Sequence, residues 1–409
     1  MVKVINRENY FQCDNTKSCV YCILGGMESL KRKGLFIGGI LFGGLVLLFI
    51  IVGLGGPILT SLGMETVCIQ GEWPHLEIVP CNETVKVSST VTPLPSQQSQ
   101  ATIPVIFDDD GSPDGTIALL YFLSNPLFDV RAVTISQGEA HPDLFADHTL
   151  QLLAGLSRAD LPVGAGNPTP LQGNNVFPEP WRQASDKFWD IELPPATVTQ
   201  VPTDAAELIV ETINNSPQPV LLFVSGTHTN VAEALHLDPE IVDNIRDIYI
   251  MGGSVYVAGN IKSDWPAIDN SVAEWNIWVD SAAAKEVFAS GVPLHLIPLD
   301  ATRKVIWIES DLPGWISSNS PEGAMAGELL QWMLNSWSPE GVYIWDLVAA
   351  VQATYPSVCP EVPLALDIIT SPGPEQGRTV LKQEVPNVSV CLDPDIGQVK
   401  SITAYILGK

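Results

Sequence analysis

From residue 103 onward, short apolar runs rich in β-branched residues alternate with longer stretches whose apolar positions recur at helical spacing. The runs at 103–107 (IPVIF), 130–136 (VRAVTIS), 219–225 (PVLLFVS) and 245–253 (IRDIYIMGG) read as strands. Between them, 116–125 (TIALLYFLSN), 143–156 (DLFADHTLQLLAGL), 205–215 (AAELIVETINN) and 229–237 (TNVAEALHL) read as helices. The βαβ alternation predicts an α/β, Rossmann-like fold, with a mostly parallel central sheet and helices on both faces. Ligand-binding groups in such sheets gather in the loops at the carboxyl ends of the strands. Candidate chemistry is therefore sought just after each apolar run.

Two stretches break this rhythm. Residues 167–195 have no period, several Pro and Gly, and the aromatics Trp181, Phe188 and Trp189, so they read as a long surface loop of the kind that forms lids. Residues 261–270 are a second irregular segment. Strand-like runs within 363–407, split by SPGPEQGR, predict a hairpin or an addition at a sheet edge.

The first hundred residues are patterned differently. No charged side chain occurs between Gly34 and Met64, and residues 35–56 (LFIGGILFGGLVLLFIIVGLGG) are long enough to cross roughly 30 Å of hydrocarbon as a helix. Lys31, Arg32 and Lys33 stand directly before that run, which predicts a cytoplasmic segment 1–33, a transmembrane helix 34–58, and an extracellular or periplasmic remainder. A cleaved signal peptide is the competing reading; the long hydrophilic leader and the length of the apolar run weigh against it. Residues 59–102 hold Cys68 and Cys81 and then a Ser/Thr/Pro/Gln-rich stalk at 83–102, leaving 103–409 as the principal domain. Cys13, Cys19 and Cys22 precede the span and lack a fourth metal ligand; Cys68, Cys81, Cys359 and Cys391 follow it, and local pairing joins 68 to 81 and 359 to 391, one of three possible connectivities.

Composition narrows the function. With 409 residues and 46% apolar content the chain can bury a large core. Its net charge is −26, which repels phosphodiester backbones, attracts cations and excludes nucleic acid as a partner.

The acidity concentrates where a site is expected. Residues 105–120 run VIFDDDGSPDGTIALL, a buried strand leading into four carboxylates and then a helix. Carboxylates this close repel one another, and a hard cation such as Ca²⁺, which takes six to eight oxygens, relieves that repulsion. A solvated acidic turn with Asp114 at a helix N-terminus is the alternative reading of the spacing alone.

The same string resembles the inosine-uridine preferring nucleoside hydrolases, whose first strand ends in D-x-D-x-x-x-D-D before a helix; Asp108, Asp110 and Asp114 fall on the first three aspartates. Further similarities follow in order. TISQGEAHP (134–142) resembles the loop ending in a ribose-binding Asn, here Glu139. VSGTHTNVAEAL (224–235) is similar to the segment whose backbone carbonyl binds calcium, which puts that carbonyl on Ser225. Met251-Gly-Gly and Gly259-Asn260 resemble the family's MGG…GN stretch, and AEWNIWVD (273–280) resembles its E-F-N motif through Glu274 and Asn276. Trp345-Asp346 stands where the family carries its last calcium-binding Asp. The resemblance covers roughly 103–407.

It implies Ca²⁺ held by Asp110, Asp346 and the Ser225 carbonyl, binding the ribose diol and a water whose proton Asp110 takes before attack on C1′. Asp114, Glu139, Asn260, Glu274 and Asn276 would hold the sugar, with Met251 packed against it. The family also implies a homodimer or homotetramer. Two departures stand out. The fourth motif aspartate, a calcium ligand, is Gly115, and Glu139 is the residue hypothesised to restore the lost charge and to serve as a metal ligand. The His that several members use to protonate a purine is Trp345; water, His141 or His228 would then help the base to leave, or Trp345 would stack on it. Asp108 is read as supporting the site. Two alternatives remain: a nucleoside- or riboside-binding protein that has lost turnover with the missing aspartate, and a hydrolase of a non-nucleoside riboside.

Overall fold

The structure, a computed structural model, describes residues 102–408 together with four strands at Leu35–Phe42, Leu45–Val52, Val67–Glu72 and His75–Pro80. The chain divides into two units, residues 1–96 and 97–409.

In the first unit the expected membrane-spanning helix is absent. Leu35–Phe42 and Leu45–Val52 are two strands paired antiparallel, Leu35 opposite Val52 and Phe42 opposite Leu45. No helix among the described residues is long and apolar enough to cross a membrane. The membrane-anchored, externally facing placement is thus overturned. Hydropathy measured apolarity, but the run also carries the Gly38-Gly39 and Gly43-Gly44 pairs and many β-branched Ile and Val, which disfavour a helix and suit a strand. A second antiparallel pair joins Val67–Glu72 to His75–Pro80. The segment 1–33 with Cys13, Cys19 and Cys22, the stalk at 83–102 apart from Thr102, and the Cys68–Cys81 pairing lie outside the described residues.

The second unit is built on a nine-stranded sheet. Its strands are β1 (Ile103–Asp109), β2 (Phe128–Ile135), β3 (Val163–Ala165), β4 (Thr203–Asp204), β5 (Val220–Val224), β6 (Ile245–Met251), β7 (Leu294–Ile297), β8 (Glu361–Leu364) and β9 (Val388–Cys391). They lie in the order β8-β9-β7-β6-β5-β1-β2-β3-β4, and every neighbouring pair is parallel except β8 with β9. β1 is central: the chain first builds outward through β2, β3 and β4, then returns to add β5 on its other side. Such a reversal opens a crevice at the carboxyl ends of the two strands flanking it.

Successive residues of β1 and β5 serve opposite faces. Val105, Phe107, Leu221 and Phe223 join one apolar cluster, and Ile106, Leu222 and Val224 join the other. Strands buried on both sides must be apolar at every position, which explains their unbroken runs. Phe107 stacks on Phe223 with ring centroids 5.1 Å apart, and Phe122 closes against both, so the rings lock helix α1 (Pro113–Ser124) onto the sheet directly behind the acidic string.

The 363–407 region supplies β9, which lies between β7 and the edge strand β8, and a separate hairpin of Leu366–Ile368 with Thr379–Leu381 spans the SPGPEQGR turn. It also holds a helix over Ile396–Leu407, capped by Asp395, that periodicity alone had not distinguished from a strand. A disulfide joins Cys359 to Cys391. Within 167–195, Phe188 and Trp189 are buried in the main core and Trp181 packs on Phe177, Trp265 and Trp275, so these rings serve packing.

Candidate active site

β1 delivers Asp108, Asp109 and Asp110 to the crevice, all nearly inaccessible to solvent. The chain then turns through Gly111 and enters α1, where the Ser112 hydroxyl accepts from Gly115 N at 2.9 Å and Pro113 pre-sets the first helical turn. Asp114 sits in that turn, where the helix N-terminus favours negative charge. A second helix, over Trp345–Thr354, places Asp346 in its own first turn. The two helix starts meet: Ser112 Oγ donates to Asp346 Oδ2 at 3.3 Å, and Asp346 N donates to Asp114 Oδ2 at 3.4 Å. From the loop after β2, Glu139 N donates to Asp110 Oδ2 at 3.4 Å, while the Glu139 side chain stays partly exposed. Gly226 permits the close approach of the loop after β5, since a methyl carbon there would stand 2.7 Å from Asp110 Cβ.

Six carboxylates therefore share one region: Asp108, Asp109, Asp110, Asp114, Glu139 and Asp346. None has a Lys, Arg or His ion-pair partner among the described residues. Burial pushes Asp108 up to about 7 against the hydrogen bonds from Thr134 and Asn230 that favour its charge. Burial and then the neighbouring negative charges hold Asp110, Glu139 and Asp346 well above the ordinary carboxylate range. Burial likewise raises Asp109 and Asp114. Unpaired charge of this density demands either protons or a cation.

The other residues singled out from the sequence divide by role. Ser225 follows β5 and its carbonyl accepts from Asn276 Nδ2 at 2.9 Å; the same amide reaches the Met251 carbonyl at 3.3 Å. Glu274 caps the short helix Trp275–Val279, taking the N–H groups of Asn276, Gly253 and Ile277. Its carboxylate is thus occupied in holding Asn276 and the Met251-Gly-Gly turn in register. Asn260 is buried, its side-chain oxygen without a partner among the described residues. Trp345 lies beside Tyr343 and Trp337, and its indole N–H has no partner among the described residues.

The two histidines separate. His141 precedes the helix Pro142–Gly155 and pairs with Asp186 at 2.7 Å, two residues from Glu139. His228 is completely buried beside Phe288, neither ring nitrogen has a partner among the described residues, and burial lowers its pKa to about 3. A histidine so easily kept neutral cannot serve as the imidazolium that protonates a leaving base.

Sequence reasoning gave no role to three groups the structure brings here. Thr134 and Asn230 donate to Asp108 Oδ1 at 2.6 and 2.7 Å, tying β1 to β2 and to the helix Thr229–Leu237. Asp109 accepts from Ser225 Oγ and from Gly111 N, both at 3.0 Å. It is the middle residue of an aspartate triplet, and that triplet was the available signal.

The donor chemistry suits a hard dication, with carboxylates, a backbone carbonyl and no basic competitor. Among the described residues, no group of three or more His, Cys, Asp or Glu side chains is placed so that it could hold a metal ion as it stands.

The arrangement has relatives. Residues 105–401 match the family model described as inosine-uridine preferring nucleoside hydrolase. The chain belongs to the inosine-uridine preferring nucleoside hydrolase family. Among relatives of known name, the pyrimidine-specific ribonucleoside hydrolase RihA of Citrobacter koseri is 32% identical over 303 residues, 72% of this chain and 94% of that protein. RihA of Escherichia coli O1:K1 is 31% identical over the same span. In fold, the chain resembles the purine-preferring ribonucleoside hydrolase from Gardnerella vaginalis at a TM-score of 0.66 and 22% identity, covering 75% of this chain and 98% of that one. A plant nucleoside hydrolase gives the same TM-score at 24% identity, covering 75% and 99%. Nucleoside hydrolase membership thus covers the second unit, and 1–96 lies outside the matched residues.

Proposed function

We propose that this protein hydrolyses the N-glycosidic bond of ribonucleosides, releasing ribose and the free base. One observation carries the reading: in a chain of this family, six carboxylates are gathered at the carboxyl ends of β1 and β2 and at the starts of two helices, with no side-chain cation among the described residues to balance them. The chemistry of that donor set fits Ca²⁺, for which Asp110, Asp346 and the Ser225 carbonyl are the proposed ligands. When bound, Ca²⁺ would orient a sugar diol and lower the pKa of a water.

The protein's own groups do the rest. Asp110 accepts the proton of the attacking water as its oxygen bonds to C1′. The C1′–N bond breaks with its electron pair leaving on the base, which then takes up a proton. As the bond stretches, the sugar gains oxocarbenium character, and the negative field of Asp110, Asp114 and Glu139 stabilises it in a site sheltered from water. Asp114, Asn260 and Asn276 offer hydrogen-bonding groups to the sugar hydroxyls, Met251 an apolar surface. Glu274 acts through the helix it caps. On the base side, Trp345 with Tyr343 provides a stacking surface, and His141, held by Asp186, is the histidine available to donate a proton. His228 is withdrawn from that role.

The test is release of reducing sugar from a panel of ribonucleosides, pyrimidines first because the RihA relatives carry that specificity in their name. Ribose release that stops on chelation and returns with Ca²⁺ is the expected result. Binding of the nucleosides without release would establish a binding protein instead, the reading that Gly115 favours.

A further inference from the structure

We infer that Asp109 supplies the carboxylate that position 115 lacks, so that in this chain the metal-facing side chain has moved from the helix to the end of the strand. The inference rests on the calcium reading above and concerns only which residues furnish the ligands.

The argument is one of space. Gly115 is the second residue of the Asp114-Gly115 pair in the first turn of α1, where a family sequence would carry an aspartate. A methyl carbon built on Gly115 would stand 2.7 Å from Asp109 Cγ and closer still to its Oδ1, and 2.8 Å from Ser112 Oγ. The volume in which a side chain at 115 would begin is therefore filled by the Asp109 carboxylate. Any side chain at 115 evicts Asp109, and any small residue at 109 leaves that volume open. The two positions form one unit in which a single carboxylate fits.

The carboxylate is also held as a ligand would be. Ser225 Oγ fixes one oxygen and Gly111 N the other, both at 3.0 Å, and both donors are neutral. They orient the group without cancelling its charge, and each oxygen keeps a lone pair for a further partner. Ser225 also carries the backbone carbonyl proposed as a ligand, which accepts from Asn276 Nδ2. The charge of Asp109 is felt by Asp110, Glu139 and Asp346, so it lies within the same cluster. Glu139, the residue the sequence suggested for this compensation, has its carboxylate in the same cluster, but that side chain is not among the nearest atoms around position 115. Asp109 is the better replacement.

Four variants of the full chain, stripped of metal and titrated with Ca²⁺ by calorimetry and by melting temperature, test this. Asp109→Asn keeps size and shape while removing charge, and is expected to weaken Ca²⁺ binding by at least about tenfold, the lower end of what loss of even an outer partner costs a metal site. Gly115→Asp alone should lower the metal-free melting temperature, because two carboxylates then compete for one volume. The double variant Asp109→Thr/Gly115→Asp should regain Ca²⁺ binding relative to Asp109→Thr alone. Wild-type affinity in Asp109→Asn, or a folded double variant that binds no better than Asp109→Thr, would overturn the inference while leaving the calcium reading intact. Failure of the unmodified chain to bind Ca²⁺ would overturn both.

Discussion

Two groups of buried or half-buried charge lie on the same sheet, and they are built on opposite rules. At the crevice, six carboxylates crowd together without a counter-charge among the described residues. Toward the other edge, His295 on β7 is flanked by Glu361 on β8 at 2.7 Å and by Asp247 on β6 at 3.5 Å, and it stacks flat on Tyr249. Burial alone would lower the His295 pKa, but Asp247 and Glu361 outweigh it and raise it to about 9. Where the sheet needs only to hold together, charge is paired inside the protein. At the crevice the fold bears the cost of that repulsion, which the proposed Ca²⁺ would relieve.

Perturbing each region should therefore give different signatures. The largest effect is expected from Asp110→Asn, which removes the proposed proton acceptor and should cut kcat by about 10²- to 10⁴-fold, the range for general-base catalysis. Steady-state ribose release checks it, and a variant retaining more than a tenth of the activity breaks the assignment. Next comes Phe188→Ala in the long loop. Phe188 packs on Phe145 and Trp189 in the core, so truncation should cost about 3–5 kcal/mol of stability by denaturant unfolding. A large loss of kcat/KM with unchanged stability would return that ring to the role of a lid.

Asn276→Ala probes the seam between binding and structure. Its amide holds the Ser225 carbonyl, so Ca²⁺ affinity should fall by about 10- to 100-fold, as for other groups that orient a metal ligand. The smallest effect belongs to the paired region. A histidine whose folded pKa lies above its unfolded value stabilises fully below the unfolded value and loses that contribution as pH rises through the folded one. Melting temperature should fall from about pH 6.5 to about pH 9, and His295→Gln should flatten that segment of the profile.

The strands were legible because burial on both faces forces unbroken apolar runs, and the crevice followed from the βαβ order. Asp110, Asp114 and Asp346 were legible because helix starts and strand ends are where this fold displays carboxylates. Asp109 was not: its contact with position 115 is an approach of strand to helix that spacing does not encode. His228 looked available in a loop-like string, and only packing against Phe288 reveals it as an interior side chain. The apolar run at 35–56 misled because length and hydropathy are shared by a helix and by a pair of strands, while its glycines and β-branched residues decide between them.

The central claim is that the unpaired acidic cluster is a cation site. Titrating the chelated full-length protein with Ca²⁺ in a calorimeter tests it most directly. Saturable binding of a single ion per chain is expected, with stability rising by about 2.7 kcal/mol once free Ca²⁺ reaches a hundredfold excess over Kd. Absence of binding heat, together with a melting temperature indifferent to Ca²⁺, would contradict it.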